Sequence, residues 1–463
     1  MRDAATAVAE YVPSGSDGRE PELLALSVRE RLHLLDTGAV PDAEWCATAN
    51  AWSFAADGRY RATVDLRPLV PGSPPVRLGV KDTVDVAGFP TRLGLRRYRH
   101  HPAHSAAVLR RLSGVTVNAK VVSTELNIGL GSGCLNPYFP HIGPAGSSTG
   151  SAVAVAAGIC DLSLGTDVLG SVRWPAGRCG VVGLRMTHDE GDLDGVFPLC
   201  PPMDAPGWVA RTADDLAYLW ERVGLGRPAA PVKRRVGVVE EVYDGAEAEI
   251  LDALGTGAAA LANAGHTVER VRLGELWDWR GPAWELCARE AWDGYRHWQD
   301  WIADELLPST VAALEAGARV DDRRHAAIQD AMRRLRADVP QRFADHGVDA
   351  WLLPLDPDVP QPLAGTAAPA STIPAAGAAD YDREVGYTPV ASFAGLPALT
   401  FPVGVSPSSG APLALQLVGP PHAEAALIAL ARDAAAGLLP RPTAPLPAGL
   451  RRAAAGRPTV PDR

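Results

Sequence analysis

From Lys81 onward, after a strand-like run at 76–80, the chain alternates strand-like and helical stretches, which restricts it to α/β architectures. The run VRLGV (76–80) reads as a strand, HSAAVLRRLSG (104–114) as a helix and VTVNAKVV (115–122) as a buried strand. The small-residue run SAVAVAAG (151–158) reads as a helix able to pack closely on its neighbours, and ICDLSLGTD (159–167) leads from it into a glycine-containing loop. Further along, RVGVVEEV (235–242) reads as a strand, residues 247–265 as a helix and HTVERVRL (266–273) as another strand. No internal repeat accompanies this alternation.

Residues 1–60 form an expected N-terminal helical arm, with a polar start over 1–19, a helix from Pro21 to about Leu35 and a second around Asp42–Trp52. The proline-rich stretch LRPLVPGSPP (66–75) connects the arm to the body of the fold, expected over 61–440. The Pro/Ala/Arg-rich end, 441–463, is expected to be a disordered tail. Trp284, Trp292, Trp298 and Trp301 fall in one helical stretch and read either as core packing or as the wall of a cleft. The long small-residue stretch 362–381 reads as a flexible cover.

Composition narrows the function classes. With 463 residues, 47% hydrophobic and 21% charged, the chain can bury a sizeable core. A formal charge of −10 argues against general affinity for nucleic acid, which needs an excess of Lys and Arg. The six cysteines are scattered without CxxC spacing and read as reduced thiols. The first 20 residues lack a basic segment followed by an apolar core, and nowhere do about 18 uncharged apolar residues run together. The expectation is a cytoplasmic protein without a membrane span. No HExxH or clustered His/Cys spacing appears, so neither a metal nor another cofactor is expected.

The densest patch of Gly, Ser and Thr is GPAGSSTGSAVAVAAG (143–158), followed by LGTDVLGSVRWPAGRCGVVGL (164–184). As a phosphate-binding loop it lacks the lysine of GxxxxGK[ST]. As a nucleophile elbow, Gly146–Gly150 satisfies GxSxG around Ser148, but the elbow must follow a buried strand, and NPYFPHIGPA is proline-broken and polar. The third reading brings two serines from separate glycine loops together with a lysine base. Serine is a weak nucleophile without an adjacent proton acceptor, and lysine accepts a proton only when burial lowers its pKa. Lys81, at the end of VRLGV, is a local candidate; its alternative is a surface ion pair with Asp82.

Taken together, LGVKDTVDVAGFPT and the two glycine loops resemble the amidase-signature family. Asn136-Pro137, DAPGWVARTADDLA (204–217), GLPALTFPVG (395–404) and LQLVG (415–419) extend the likeness over roughly 60–435. The resemblance implies a single large mixed β-sheet covered by helices on both faces. It also implies a Ser–Ser–Lys triad: Lys81 as base, Ser147 (held in a cis peptide) as relay and Ser171 as nucleophile. The two serines stand 24 positions apart (147 to 171), as the family's spacing requires. Backbone N–H groups of Val168, Leu169, Gly170 and Ser171 would hold the oxyanion. Ser148, Asp167 and Arg173 would be supporting residues.

Several positions depart from the family's pattern. Leu169 precedes Gly170 where two glycines are common, Ala145 and Thr149 replace glycines, Met186 a proline and Ser392 an asparagine. Leucine resists positive φ, so the oxyanion loop or the acyl pocket is expected to differ. The implied activity is cleavage of a small-molecule amide, or transfer of its acyl group, with no nucleic-acid or membrane partner and a homodimer as the ordinary assembly. Two alternatives stay open: a catalytically impaired binding or scaffold homologue, and an amidotransferase subunit that acts on glutamine with partner subunits.

Overall fold

The strand-like runs pair into one sheet because most of them are apolar on both faces. The structure, a computed structural model, describes residues 20–436 apart from 130, 299–301, 303, 364–373, 375 and 376. Among the described residues the strands are β1 (Thr63–Leu66), β2 (Val76–Lys81), β3 (Val115–Val121), β4 (Leu162–Asp167), β5 (Val182–Arg185) and β6 (Ala205–Ala210), then β7 (Arg235–Val239), β8 (Thr267–Val271), β9 (Ala350–Pro354), β10 (Ala398–Val405) and β11 (Pro412–Val418). They form one 11-stranded sheet in the order β1-β3-β2-β4-β6-β5-β10-β11-β9-β7-β8. β2 runs parallel to β3 and β4, and β7 runs parallel to β8 and β9. The other joins are antiparallel. Every residue of β2, β4, β5, β6 and β9 is buried, as central strands covered on both faces require.

Alternating side chains feed two cores. Leu78, Val80, Leu164, Leu184 and Trp208 join one apolar cluster with Leu216 and Leu219 of the helix Ala213–Arg222 and Leu427 of the helix Glu424–Ala435. Ala119, Val121 and Val209 join a second with Trp45 and Trp52 of the helix Asp42–Tyr60 and Val153 and Val155 of the helix Thr149–Ala156. The observed architecture is thus the expected one: α/β, with a single large mixed sheet and helices on both faces.

Local boundaries differ where a competing interaction wins. The first helix divides into Glu22–Ala25 and Val28–Asp36 because Ser27 caps the second piece, reciprocally with Glu30. The second helix runs on to Tyr60, ending where Arg61 turns left-handed. The helix expected over 104–114 is reduced to Ala107–Arg110, since the amides of Ala106 and Ala107 bond the carbonyls of Asp85 and Asp194. β7 stops at Val239 and a 3₁₀ turn, Glu240–Asp244, follows. Trp284 and Trp292 share the helix Arg280–Tyr295, and Trp298 ends the 3₁₀ turn behind it. Trp301, most of the 362–381 stretch, residues 1–19 and the 441–463 tail lie outside the described residues. All six cysteines are buried free thiols. Among the described residues no helix is long and apolar enough to cross a membrane.

Candidate active site

In open α/β sheets, binding crevices form beyond the carboxyl ends of parallel strands. β2 and β4 are parallel neighbours, with Val80 opposite Leu164. Their carboxyl ends present Lys81 on one strand and Thr166 and Asp167 on the other. The connection from β3 to β4 contributes Ser147 and Ser148, and the turn after β4 contributes Ser171. One end of the sheet therefore gathers every residue expected to do chemistry.

Lys81 is fully buried, and its Nζ donates to Ser147 Oγ at 2.7 Å and to Thr166 Oγ1 at 2.8 Å. Burial pushes its pKa down to about 7, opposed by the negative charges of Asp204 and Asp167. The surface ion pair with Asp82 does not form. Asp82 is equally buried and faces Arg92, 3.7 Å away, because successive residues of an extended chain point apart. Burial pushes the Asp82 carboxyl up to about 6, against Lys120 and Arg92.

The peptide bond between Gly146 and Ser147 is cis. Ser148 is fully buried, and its hydroxyl donates to Thr166 O at 3.0 Å and accepts from Thr166 N at 3.2 Å. This close approach requires Gly165, where a Cβ would lie 2.7 Å from Ser148 Oγ. The Ser148 amide donates to Ser171 O at 3.1 Å, so the two serine loops are joined directly. The GxSxG serine is thereby a brace between the loop and β4.

Ser171 is half-buried at the turn that follows β4. Asp167 organises this turn, accepting from the amides of Gly170 (3.0 Å), Val172 (3.1 Å) and Arg173 (3.3 Å). Arg173 adds two guanidinium bonds to it, at 2.8 and 3.1 Å. Burial alone would raise the Asp167 carboxyl, but Arg173 and then Arg185 hold it well below the usual carboxylate range. Arg173 reaches on to Thr388 O, Gln416 Oε1 and Ser392 Oγ, each at 2.8 Å. Gly170 has φ +120°, and a Cβ there would meet Thr388 Oγ1 at 2.7 Å. Leu169 is not among the left-handed residues; its side chain is buried and its carbonyl accepts the Thr388 hydroxyl. Met186 supplies an amide to Pro206 O at 3.0 Å, a bond proline could not make. A separate surface cavity of about 290 Å³, among Leu78, His104, Leu109, Arg110 and Val115, includes none of these groups.

A protein-family model described as Amidase matches residues 45–428. The chain belongs to the amidase family. It is 32% identical over 412 residues to 2-amino-5-chloromuconic acid deaminase of Comamonas testosteroni, covering 83% of this chain and 85% of that one. It is 31% identical over 430 residues to a glutamyl-tRNA(Gln) amidotransferase subunit from Deinococcus radiodurans, covering 83% and 87%. A crystal structure of an amidase matches with a TM-score of 0.76 at 26% identity, covering 89% of this chain and all of that one. The protein is accordingly an enzyme of amide hydrolysis or amide transfer.

In this amidase-family site, reading the sequence missed Thr166, Arg185 and Asp204. Thr166 and Asp204 stand inside the segments that carry the family resemblance, yet neither position signals a contact with, or a charge acting on, the lysine. Asp204 is buried, its charge acts on Lys81, and its carboxylate accepts the amides of Leu199 at 3.0 Å and Cys200 at 3.1 Å. Arg185 donates to Met203 O at 2.9 Å and to the carbonyl of Asp167, tying the turn after β4 to the loop that holds Asp204.

Proposed function

We propose that this enzyme cleaves a small-molecule amide, or transfers its acyl group, through a Ser171 acyl-enzyme, with Ser147 as relay and Lys81 as base. The observation that carries the reading is the contact of Lys81 Nζ with Ser147 Oγ at 2.7 Å, made by a lysine whose burial lowers its pKa to about 7. A neutral Lys81 accepts the Ser147 proton while Ser147 accepts that of Ser171, because a hydroxyl donates and accepts at once. Ser171 Oγ then bonds the amide carbon. Of the four expected oxyanion donors, the Gly170 amide is held by Asp167, so the charge falls to Val168, Leu169 and Ser171. Collapse breaks the C–N bond, the relay returns the proton to the departing amine, and water attacks the ester along the same path.

The test is labelling with a fluorophosphonate probe and mapping of the modified peptide. Wild-type protein labels on Ser171, and Ser171→Ala does not label. Modification of Ser148, or undiminished labelling in Ser171→Ala, sinks the assignment.

The likeness to an amidotransferase subunit supports a second resolution of the same acyl-enzyme, in which ammonia or an amine replaces water or the released ammonia is passed on. Glutaminase activity that appears only with added partner subunits would favour it. Turnover of simple amides by the isolated chain favours hydrolysis.

A further inference from the structure

Burial along the segment that follows the Ser171 turn is periodic. Ser171, Trp174 and Arg178 are half-buried, whereas Val172, Arg173, Pro175, Ala176 and Gly177 are buried. Positions i, i+3 and i+7 lie on one face of a helix; the helix Arg173–Arg178 carries Trp174 and Arg178, and Ser171 stands in the turn just before it. The Trp174 amide bonds Gly170 O at 2.7 Å, which extends the helical turn back across Ser171. The half-buried positions Ser171, Trp174 and Arg178 therefore fall on one side of this segment, with Trp174 one turn from the serine.

The indole of Trp174 is held in place. Its Nε1 donates to Asp356 Oδ1 at 3.0 Å, and its ring lies 6.2 Å from that of Trp284 at an interplanar angle of 31°. Trp284, also half-buried, donates its own Nε1 to Val385 O at 3.1 Å. Arg178, on the same side, pairs with Asp356 at 3.3 Å. Both indole N–H groups and both charges are thus engaged within the protein. What this wall offers a ligand is apolar aromatic surface, one helical turn from the serine.

We propose that Trp174, backed by Trp284, is a specificity-determining residue, and that the enzyme's substrates are amides carrying an aromatic ring one or two atoms from the scissile carbonyl. The reach follows from the helix: side chains at i and i+3 stand roughly 5–6 Å apart at Cβ, the span of such a spacer. The Arg178–Asp356 pair is internally neutralised, so it closes the wall without selecting a charged group. The inference rests on the acyl-enzyme reading above.

The test compares kcat/KM for phenylacetamide and propionamide in wild type, Trp174→Ala and Trp174→Phe, alongside fluorophosphonate labelling rates. Wild type prefers the aryl amide. Trp174→Ala loses about tenfold or more on it, mainly through KM, while propionamide and labelling change by less than about threefold. Trp174→Phe keeps most of the preference. Equal losses on both amides with slowed labelling would make Trp174 a prop for the Ser171 turn and overturn the proposal. Intact labelling without aromatic preference in wild type overturns it alone, whereas no wild-type labelling at Ser171 removes the acyl-enzyme reading and this inference with it.

Discussion

The Thr149 hydroxyl donates to the carbonyl of Ala145 at 2.6 Å, closing the loop that carries Ser147. Ala145 has φ +58°, a left-handed conformation that costs a non-glycine residue about 1 kcal/mol. Two positions where the resemblance led glycine to be expected are thus filled by residues that contact each other, and the bond between them holds the loop. Thr149→Val should cost about 1 kcal/mol of stability and lower kcat by loosening Ser147. Ala145→Gly should leave stability equal or slightly raised. Urea midpoints and kcat of Thr149→Val and Thr149→Ser measure the bond: Thr149→Ser keeps the hydroxyl and should stay near wild type, and a Thr149→Val variant of unchanged stability and kcat would show that the contact is incidental.

Ser147 and Ser148 are adjacent, yet their environments predict opposite phenotypes. Ser147→Ala removes the hydroxyl that Lys81 contacts, the proposed relay to Ser171, and should lower kcat by about 10²–10⁴ with little change in stability, since Lys81 keeps Thr166 as a partner. Ser148→Ala strips a buried partner from both the amide and the carbonyl of Thr166 and should cost about 1–3 kcal/mol while Ser171 still labels. Labelling rate against urea midpoint separates the two. A Ser148→Ala variant of full stability with no labelling would reverse their roles.

These contrasts show which parts of the site sequence can report. The glycine loops, the strand ending at Lys81 and the α/β class were legible because each is encoded in a contiguous run of residues. Arg173 was legible as a flank of the nucleophile, but its acceptors Thr388 and Gln416 lie more than 200 positions away, where no local pattern links them. Asp204 was invisible for the same reason: its charge acts on Lys81, more than 100 positions earlier in the chain. Leu169 was expected to disturb the loop by resisting positive φ. The backbone instead places that demand on Gly170 alone and buries the leucine.

The lysine and Asp204 set the expected pH dependence. Lys81 must be neutral to accept a proton, so kcat/KM should rise with pH through an apparent pKa near 7 and level off above it. Burial pushes Asp204 up to about 6, against the Leu199 and Cys200 amides, so it is an anion across most of that limb. Its negative charge favours the protonated lysine. Asp204→Asn should therefore shift the limb to lower pH, whereas a purely structural role would lower kcat and leave the limb unmoved. A pH–rate profile of the two proteins decides.

Burying Lys81 also has a stability signature, and its sign is opposite to that of a paired surface lysine. The folded-state pKa is about 7, against an ordinary value of 10.5, so between those values the unfolded chain binds a proton that the folded chain does not. Wild-type stability should thus rise with pH over that window, by at most about 1.4 kcal/mol per pH unit. Lys81→Met removes this penalty together with the bonds to Ser147 and Thr166. The variant should be inactive yet more stable than wild type by about 1–3 kcal/mol at pH 7, an advantage that shrinks by pH 9. Urea unfolding of both proteins at the two pH values measures it. A difference independent of pH would mean that Lys81 stays protonated in the folded enzyme, and the relay would then need another base.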